Sequence, residues 1–208
     1  MRILGIDEAG RGPVIGPLVL CGVCIEEKRL KNLDRLGIKD SKKLSPKRRT
    51  ILDRKIKKIC DYHIISISAS DIDNLRSKDV NLNEIEKIAI NKIINYFKPD
   101  LAIVDSVDVN PERLCQEIKK ILDEDIEIIA EHGADDKYVI VGAASILAKV
   151  ERDREIEKIK KKYKVDLGSG YPSDPKTQKF LKKYKFENLP DFVRKSWNTS
   201  QKLKYKSN

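Results

Sequence analysis

Asp7 and Glu8 stand side by side at the end of a short apolar run, Ile3-Leu4-Gly5-Ile6, and a glycine-flanked arginine, Gly10-Arg11-Gly12, follows at once. Two adjacent acids at a strand end suit a hard cation better than a core. Side chains alternate along a strand, so the two acids leave it on opposite faces; a bend at Gly10 or Gly12 lets them converge. A glycine turn with an arginine in it suits a phosphate or a sugar hydroxyl. Two further acidic positions follow, Asp105 after Leu101-Ala-Ile-Val104, and Asp135 or Asp136 after Glu131-His-Gly-Ala134. In open α/β sheets, sites form beyond the carboxyl ends of the strands, where these acids can meet. Carboxylates clustered without His or Cys bind Mg²⁺ or Mn²⁺ rather than zinc. Two such ions about 4 Å apart suffice for phosphodiester hydrolysis, with no Ser or Cys nucleophile.

The elements that must position these groups are readable from periodicity. Residues 2–6 and 14–25 are expected as strands, with a bulge at Gly16-Pro17. Ser45-Pro46 is an N-cap followed by proline at the first helical position, and the helix is expected to reach about Cys60 on Leu52, Ile56 and Ile59. His63–Ser68 alternates as a strand. Leu82, Ile85, Ala89, Ile93 and Tyr96 step by three or four, and Pro99 ends that helix. A helix-to-strand step into Leu101–Val104 fits a parallel βαβ unit. Pro111 starts a helix carried by Leu114, Ile118 and Leu122, and Ile126–Ala130 is a strand. Residues 139–163 read as a long helix, small at its start and charged later. Short helices are expected near 175–184 and 190–197, and a frayed tail from Lys202.

Charge is uneven. The chain has 208 residues and a net charge of +10, and residues 161–208 hold 13 Lys/Arg against 4 Asp/Glu, whereas the rest holds 30 against 29. A near-neutral body with a basic C-terminal segment reads as a nucleic-acid contact surface; solubility charge on a Lys-rich, thermophile-like protein is the bland alternative. No apolar run approaches the roughly 18 residues of a membrane span. Four cysteines without a secretory segment imply a reducing compartment, the cytoplasm. Cys21 and Cys24 form a C-x-x-C, but inside a strand thiols three apart face opposite sides and share no ligand.

Several stretches occur here in the order seen in type 2 ribonuclease H (ribonuclease HII): Gly5-Ile-Asp-Glu-Ala-Gly-Arg-Gly-Pro13, Asp40-Ser-Lys-Lys-Leu-Ser45, Val104-Asp-Ser106, Ala134-Asp135-x-Lys-Tyr138, Ala143-Ala-Ser-Ile146 and Gly168-Ser-Gly-Tyr-Pro-Ser-Asp174. Arg194-x-x-Trp197 extends the resemblance nearly to the end, and it is strongest to the archaeal branch. The resemblance implies an α/β, RNase H-like mixed sheet flanked by helices, with a small helical C-terminal segment. It places a catalytic domain in residues 1–165 and a basic, mainly helical segment contacting nucleic acid in 166–208.

The resemblance further implies an endonuclease that hydrolyses the RNA strand of RNA–DNA hybrids. Such enzymes also cut 5′ of single ribonucleotides in duplex DNA, leaving 5′-phosphate and 3′-hydroxyl ends. Carried over by position, Asp7, Glu8, Asp105 and Asp135 are the catalytic, Mg²⁺- or Mn²⁺-binding acids, for one or two ions. Gly10, Arg11 and Gly12 read the 2′-hydroxyl, Tyr171 packs on the sugar at the junction, and Lys42 and Lys43 contact the DNA backbone. Gly133 and Gly142 depart from the pattern, where Lys and Ser are expected. The expected partners are hybrid and ribonucleotide-containing duplexes, with no membrane; the chain is expected to be a monomer, and a sliding clamp is an open possibility. Two other readings compete. One is a type 3 enzyme preferring longer RNA stretches, which would carry an extra N-terminal domain for which the start at Met1 leaves no room. The other is a non-catalytic binding module, against which the four acids argue.

Overall fold

The structure is a computed structural model and describes residues 1–38, 44–106, 108, 110–122 and 126–206. Lys42 and Lys43 lie outside the described residues. Among the described residues, five strands form one mixed sheet: β1 (Arg2–Ala9), β2 (Leu18–Glu26), β3 (Asp61–Ile67), β4 (Leu101–Asp105) and β5 (Glu127–Glu131), in the order β3-β2-β1-β4-β5. β1 is antiparallel to β2 and parallel to β4, and β4 is parallel to β5. Ile3, Leu4 and Ile6 are all buried, as expected for a central strand covered on both faces.

The helices are α1 (Leu30–Asp34), α2 (Pro46–Ile59), α3 (Ala69–Arg76), α4 (Leu82–Phe97), α5 (Pro111–Lys119), α6 (Ala134–Lys137), α7 (Val139–Tyr163), α8 (Pro175–Leu181) and α9 (Asn198–Gln201). Ser45 caps α2 by accepting from Arg48 N–H, and Pro46 occupies the first turn, where a missing N–H costs nothing. Asn110 and Pro111 start α5 in the same way.

The chain divides into two compact units: Met1–Ala9, Val19–Ile65 and Glu86–Val150 in the first, Gly10–Leu18, Ser66–Ile85 and Glu151–Asn208 in the second. The first holds the sheet core and the start of α7, where Ile140, Val141, Ala143, Ala144, Ile146, Leu147 and Ala148 are all buried. The small residues permit close approach to the sheet: a Cβ on Gly5 of β1 would lie 2.5 Å from the Ile140 carbonyl carbon. The second unit has its own core of Val14, Ile15, Ile156, Leu167, Phe180, Leu181, Leu189, Phe192 and Val193. Residues 166–208 are therefore folded together with Gly10–Leu18.

Several local expectations are corrected. β2 starts at Leu18, after Pro17, which has no N–H to offer a ladder. Residues 190–197 are turns rather than a helix, because Val193 forms a bridge with Ile15 and Arg194 N–H bonds Val14 O at 2.8 Å, a tertiary pairing that overrides local preference. Residues Lys202–Lys206 form a 3₁₀ turn. α1 and α3 were not anticipated; α3 has a Ser68 cap but is only 8 residues long. Cys21 and Cys24 are buried thiols.

α7 ends with Lys164 at φ 52°, and Val165 N–H reaches back to Lys160 O at 3.2 Å, the arrangement that favours glycine at the left-handed position. Lys164→Gly is expected to raise the melting temperature by about 2 °C, read by thermal denaturation.

Candidate active site

Three chain segments bring acids together within the first unit. β1 and β4 run parallel with Ile6 opposite Val104, so Asp7 and Asp105 emerge next to each other at the carboxyl ends. β4 and β5 pair Asp105 with Glu131, and the turn at Gly133 leads into α6. Ala134 N–H donates to Asp105 Oδ1 at 2.9 Å, tying the start of α6 to the strand end. As a result, carboxylate oxygens of Asp7, Asp105 and Asp135 lie within 4.8 Å of one another. Asp135 is buried, while the neighbouring Asp136 is exposed. Gly142 on α7 lies against this segment: a Cβ there would be 3.0 Å from Asp135 O, which gives the departure from the expected Ser a steric meaning.

The electrostatics are those of crowded acids. Burial pushes the Asp7 carboxyl up to about 6 from 3.8; the Asp105 charge adds to this, while a hydrogen bond with Ser145 and the charge of Lys149 oppose it. Glu8 is only partly exposed and lies outside the close trio, but its carboxyl is pushed well above the usual range by burial, then by Asp7, Glu86 and Asp105. Glu8 N–H donates to Asp7 Oδ1 at 2.7 Å. The donors are all oxygen; the nearby His132 is exposed, with Nδ1 2.9 Å from Ser106 O. An all-carboxylate set, in which burial and then the Asp105 charge raise the Asp7 carboxyl, fits a hard divalent cation, whose charge removes the repulsion.

Three participants had no role assigned from the sequence, although Ser145 lies in the Ala143-Ala-Ser-Ile146 stretch. Glu86 is buried on the apolar stripe of α4 between Leu82 and Ala89, and that misplaced charge was the available signal. Ser145 is fully buried and hydrogen-bonds Asp7, and Lys149 one turn later donates to the Ser145 hydroxyl.

Of the other expected site residues, Gly10, Arg11, Gly12 and Tyr171 lie in the second unit. Gly10 has φ 85°, and a Cβ on it would sit 2.6 Å from both Arg152 Cδ and Pro17 O. The Arg11 guanidinium donates to Asn83 Oδ1 at 2.6 Å. Tyr171 is 43 % exposed, has the Arg152 guanidinium 5.5 Å from its ring centroid, and would lie 3.6 Å from a Cβ on Gly12. Its loop is rigidly built. Val14 and Ile15 N–H both donate to Gly170 O, Gly170 N–H donates to Thr177 Oγ1, and Thr177 in turn donates to Leu167 O.

This fold and these acids can be set beside known proteins. A family model described as Ribonuclease HII matches residues 4–200. The chain belongs to the ribonuclease HII family. It is 59 % identical over 206 residues to the Ribonuclease HII of Methanothermobacter thermautotrophicus, covering 98 % of this chain and 100 % of that one. It is similar to the crystal structure of ribonuclease H2 from Pyrococcus horikoshii OT3, with TM-score 0.91, 44 % identity and coverage of 99 % and 98 %. It is likewise similar to a structure of the PCNA:RNase HII complex from Archaeoglobus fulgidus, with TM-score 0.86, 48 % identity and coverage of 95 % and 96 %. As an archaeal-type ribonuclease HII, the protein is a ribonuclease H, an endonuclease that acts on RNA–DNA substrates with divalent metal ions, on an RNase H-like fold. Among the described residues, no helix is long and apolar enough to cross a membrane.

The Tyr171 loop of this ribonuclease HII carries a pH dependence. Asp174 accepts from Ser169 N–H at 2.7 Å and Lys176 N–H at 2.8 Å. Hydrogen bonds from Ser169 chiefly, with those from other loop amides, hold its carboxyl down at about 2 against 3.8. A depressed folded pKa contributes stability that is present above 3.8 and lost as pH falls toward 2. Over that window the melting temperature of the wild type is expected to fall more steeply than that of Asp174→Asn; parallel curves would refute the linkage.

Proposed function

We propose that this ribonuclease HII cuts 5′ of single ribonucleotides in duplex DNA as well as within RNA–DNA hybrids, leaving 5′-phosphate and 3′-hydroxyl ends. The observation that carries the reading is the oxygen-only cluster of Asp7, Asp105 and Asp135. With Glu8, these acids would hold one or two Mg²⁺ or Mn²⁺ ions, which supply Lewis acidity and a nucleophilic water for phosphodiester hydrolysis. Ser145 and Lys149 steady the Asp7 carboxylate and offset part of its charge. Gly10, Arg11 and Gly12, separated from Asp7 and Glu8 by Ala9 alone, read the 2′-hydroxyl, and Tyr171 packs on the junction sugar. Lys42 and Lys43 contact the DNA strand. The enzyme works as a monomer in the cytoplasm. A ring-shaped clamp is part of the reading, since the Archaeoglobus relative was solved with PCNA.

The test is a duplex with one embedded ribonucleotide, a hybrid with an RNA stretch and an all-DNA duplex, each with Mg²⁺, with Mn²⁺ or with chelator. The first two are expected to be cut, only with metal. Cutting of the hybrid alone would favour the type 3 preference, and binding without cutting would favour the non-catalytic module.

The basic segment 166–208 is proposed to hold the duplex backbone. Removing it would strip Phe180, Leu189 and Phe192 from a core, so charge is the variable to change. Lys179, Lys182, Lys183 and Lys185 are exposed. Replacing them with Gln is expected to reduce the log–log salt slope of hybrid binding by about 0.9 for each phosphate they neutralise. An unchanged slope would make them solubility charge.

A further inference from the structure

We infer that Arg194, with Trp197, is a positioning residue that presents the Gly10-Arg11-Gly12 turn to the ribose. The inference rests on the proposed reading of that turn as the 2′-hydroxyl reader. Arg194 is fully buried. Its Nε donates to Gly16 O at 3.0 Å, Nη1 to Arg11 O at 2.9 Å and Nη2 to Gly10 O at 2.5 Å. Trp197 Nε1 donates to Gly12 O at 3.1 Å, and the Arg194 guanidinium lies 4.6 Å from the Trp197 ring centroid. The three successive carbonyls of residues 10–12 are thus all taken by donors of one Arg-x-x-Trp segment.

A trans peptide is planar, with the carbonyl of one residue antiparallel to the N–H of the next. Pinning Gly10 O and Arg11 O therefore aims the N–H groups of Arg11 and Gly12 away from Arg194. The third pinned carbonyl, on Gly12, precedes Pro13, which has no N–H to strand. Two adjacent donors aimed the same way make a cradle for one oxygen acceptor. Only a planar fork of five N–H groups reaches three divergent carbonyls at once.

A second buried guanidinium supports the same surface. Arg152 donates to Ser169 O at 3.2 Å and lies over Tyr171. Asp73, whose charge reaches Arg194, is engaged by Lys195 N–H, Ser196 N–H and the Ser196 hydroxyl. A buried cation bonded to carbonyls rather than to a carboxylate is a poor way to stabilise a core, where an apolar side chain of similar volume does as well. It is a good way to orient a turn and to place positive potential beneath a site for a phosphodiester.

The test uses the full-length protein. For Arg194→Lys and Trp197→Phe, kcat and KM are measured on the single-ribonucleotide duplex and on the RNA-stretch hybrid, alongside the melting temperature. Trp197→Phe keeps an aromatic ring there and loses the Nε1 bond, so it is expected to fold and to lose about tenfold in kcat on the single ribonucleotide, with KM little changed and a smaller loss on the hybrid. Arg194→Lys is expected to lose about a hundredfold in the same pattern. Equal losses on both substrates, or full kcat in a folded Trp197→Phe, would overturn the inference. If Arg194→Lys does not fold, Trp197→Phe alone decides. Tyr171→Ala and Gly10→Ala separate the two ideas. If they lower the single-ribonucleotide preference and the Arg194 and Trp197 variants do not, only the positioning role fails. If they leave it untouched, the reader itself fails.

Discussion

Asp7→Asn and Asp105→Asn are expected to lose roughly a thousandfold or more of cleavage with Mg²⁺, yet Asp7→Asn is expected to melt higher than the wild type when no divalent cation is present. The loss follows from removing a charge from the oxygen cluster. The gain follows from the same crowding. Asp7 has its folded pKa raised to about 6, so at neutral pH its ionised form works against the fold, by about 3 kcal/mol for this buried group. The sign runs opposite to Asp174: the penalty is full above 6 and absent below 3.8, so the metal-free wild type gains stability as pH falls through that window. The Asn variant lacks this gain. Added Mg²⁺ raises the melting temperature of the wild type by binding the folded state and does little for the variant. Thermal melts at several pH values with EDTA or Mg²⁺, beside turnover assays, check all of this. A variant cutting at near wild-type rate would sink the assignment of the acids.

Gly10→Ala is expected to lower cleavage at a single embedded ribonucleotide about a hundredfold, while affinity for plain duplex falls no more than about threefold. The added methyl meets Arg152 Cδ and Pro17 O at 2.6 Å, and φ 85° is strained for any side chain. The turn must therefore shift, and its donors shift with it. Tyr171→Ala makes the cleaner comparison, because Tyr171 is exposed and its loop is held by Thr177 and Asp174 instead. It is expected to lose about tenfold in turnover at the single ribonucleotide with the fold unchanged. Turnover and duplex affinity are compared for each variant. Equal losses in both would mean that these residues merely grip the backbone.

How much of this was legible in the sequence depends on the range of the interaction involved. α4 was visible because apolar periodicity is local, and the start of α2 was visible because Ser45-Pro46 is a local cap. The acids were visible because each ends a strand or opens a helix, and strand ends share an edge in such sheets. The stretch 190–197 was misread because its backbone partners, Val14 and Ile15, are nearly 180 residues away. Glu86 went unnoticed because a Glu suits a helix surface, although its place on the apolar stripe between Leu82 and Ala89 marked it as facing inward. Arg194 and Trp197 stood out as a motif, but a guanidinium bonded to carbonyls leaves no pattern in its own neighbours.

The bonds from Arg194 to residues 10, 11 and 16 span sequence separations of 178 to 184 positions. During synthesis, the acids at 7, 105 and 135 can assemble on their sheet before the chain is finished, whereas the turn has no anchor until residue 194 has cleared the ribosome exit tunnel. Closing so long a loop is among the slowest steps in folding, because the entropy is lost before any contact compensates it. The acid cluster and the anchored turn thus mature at different times.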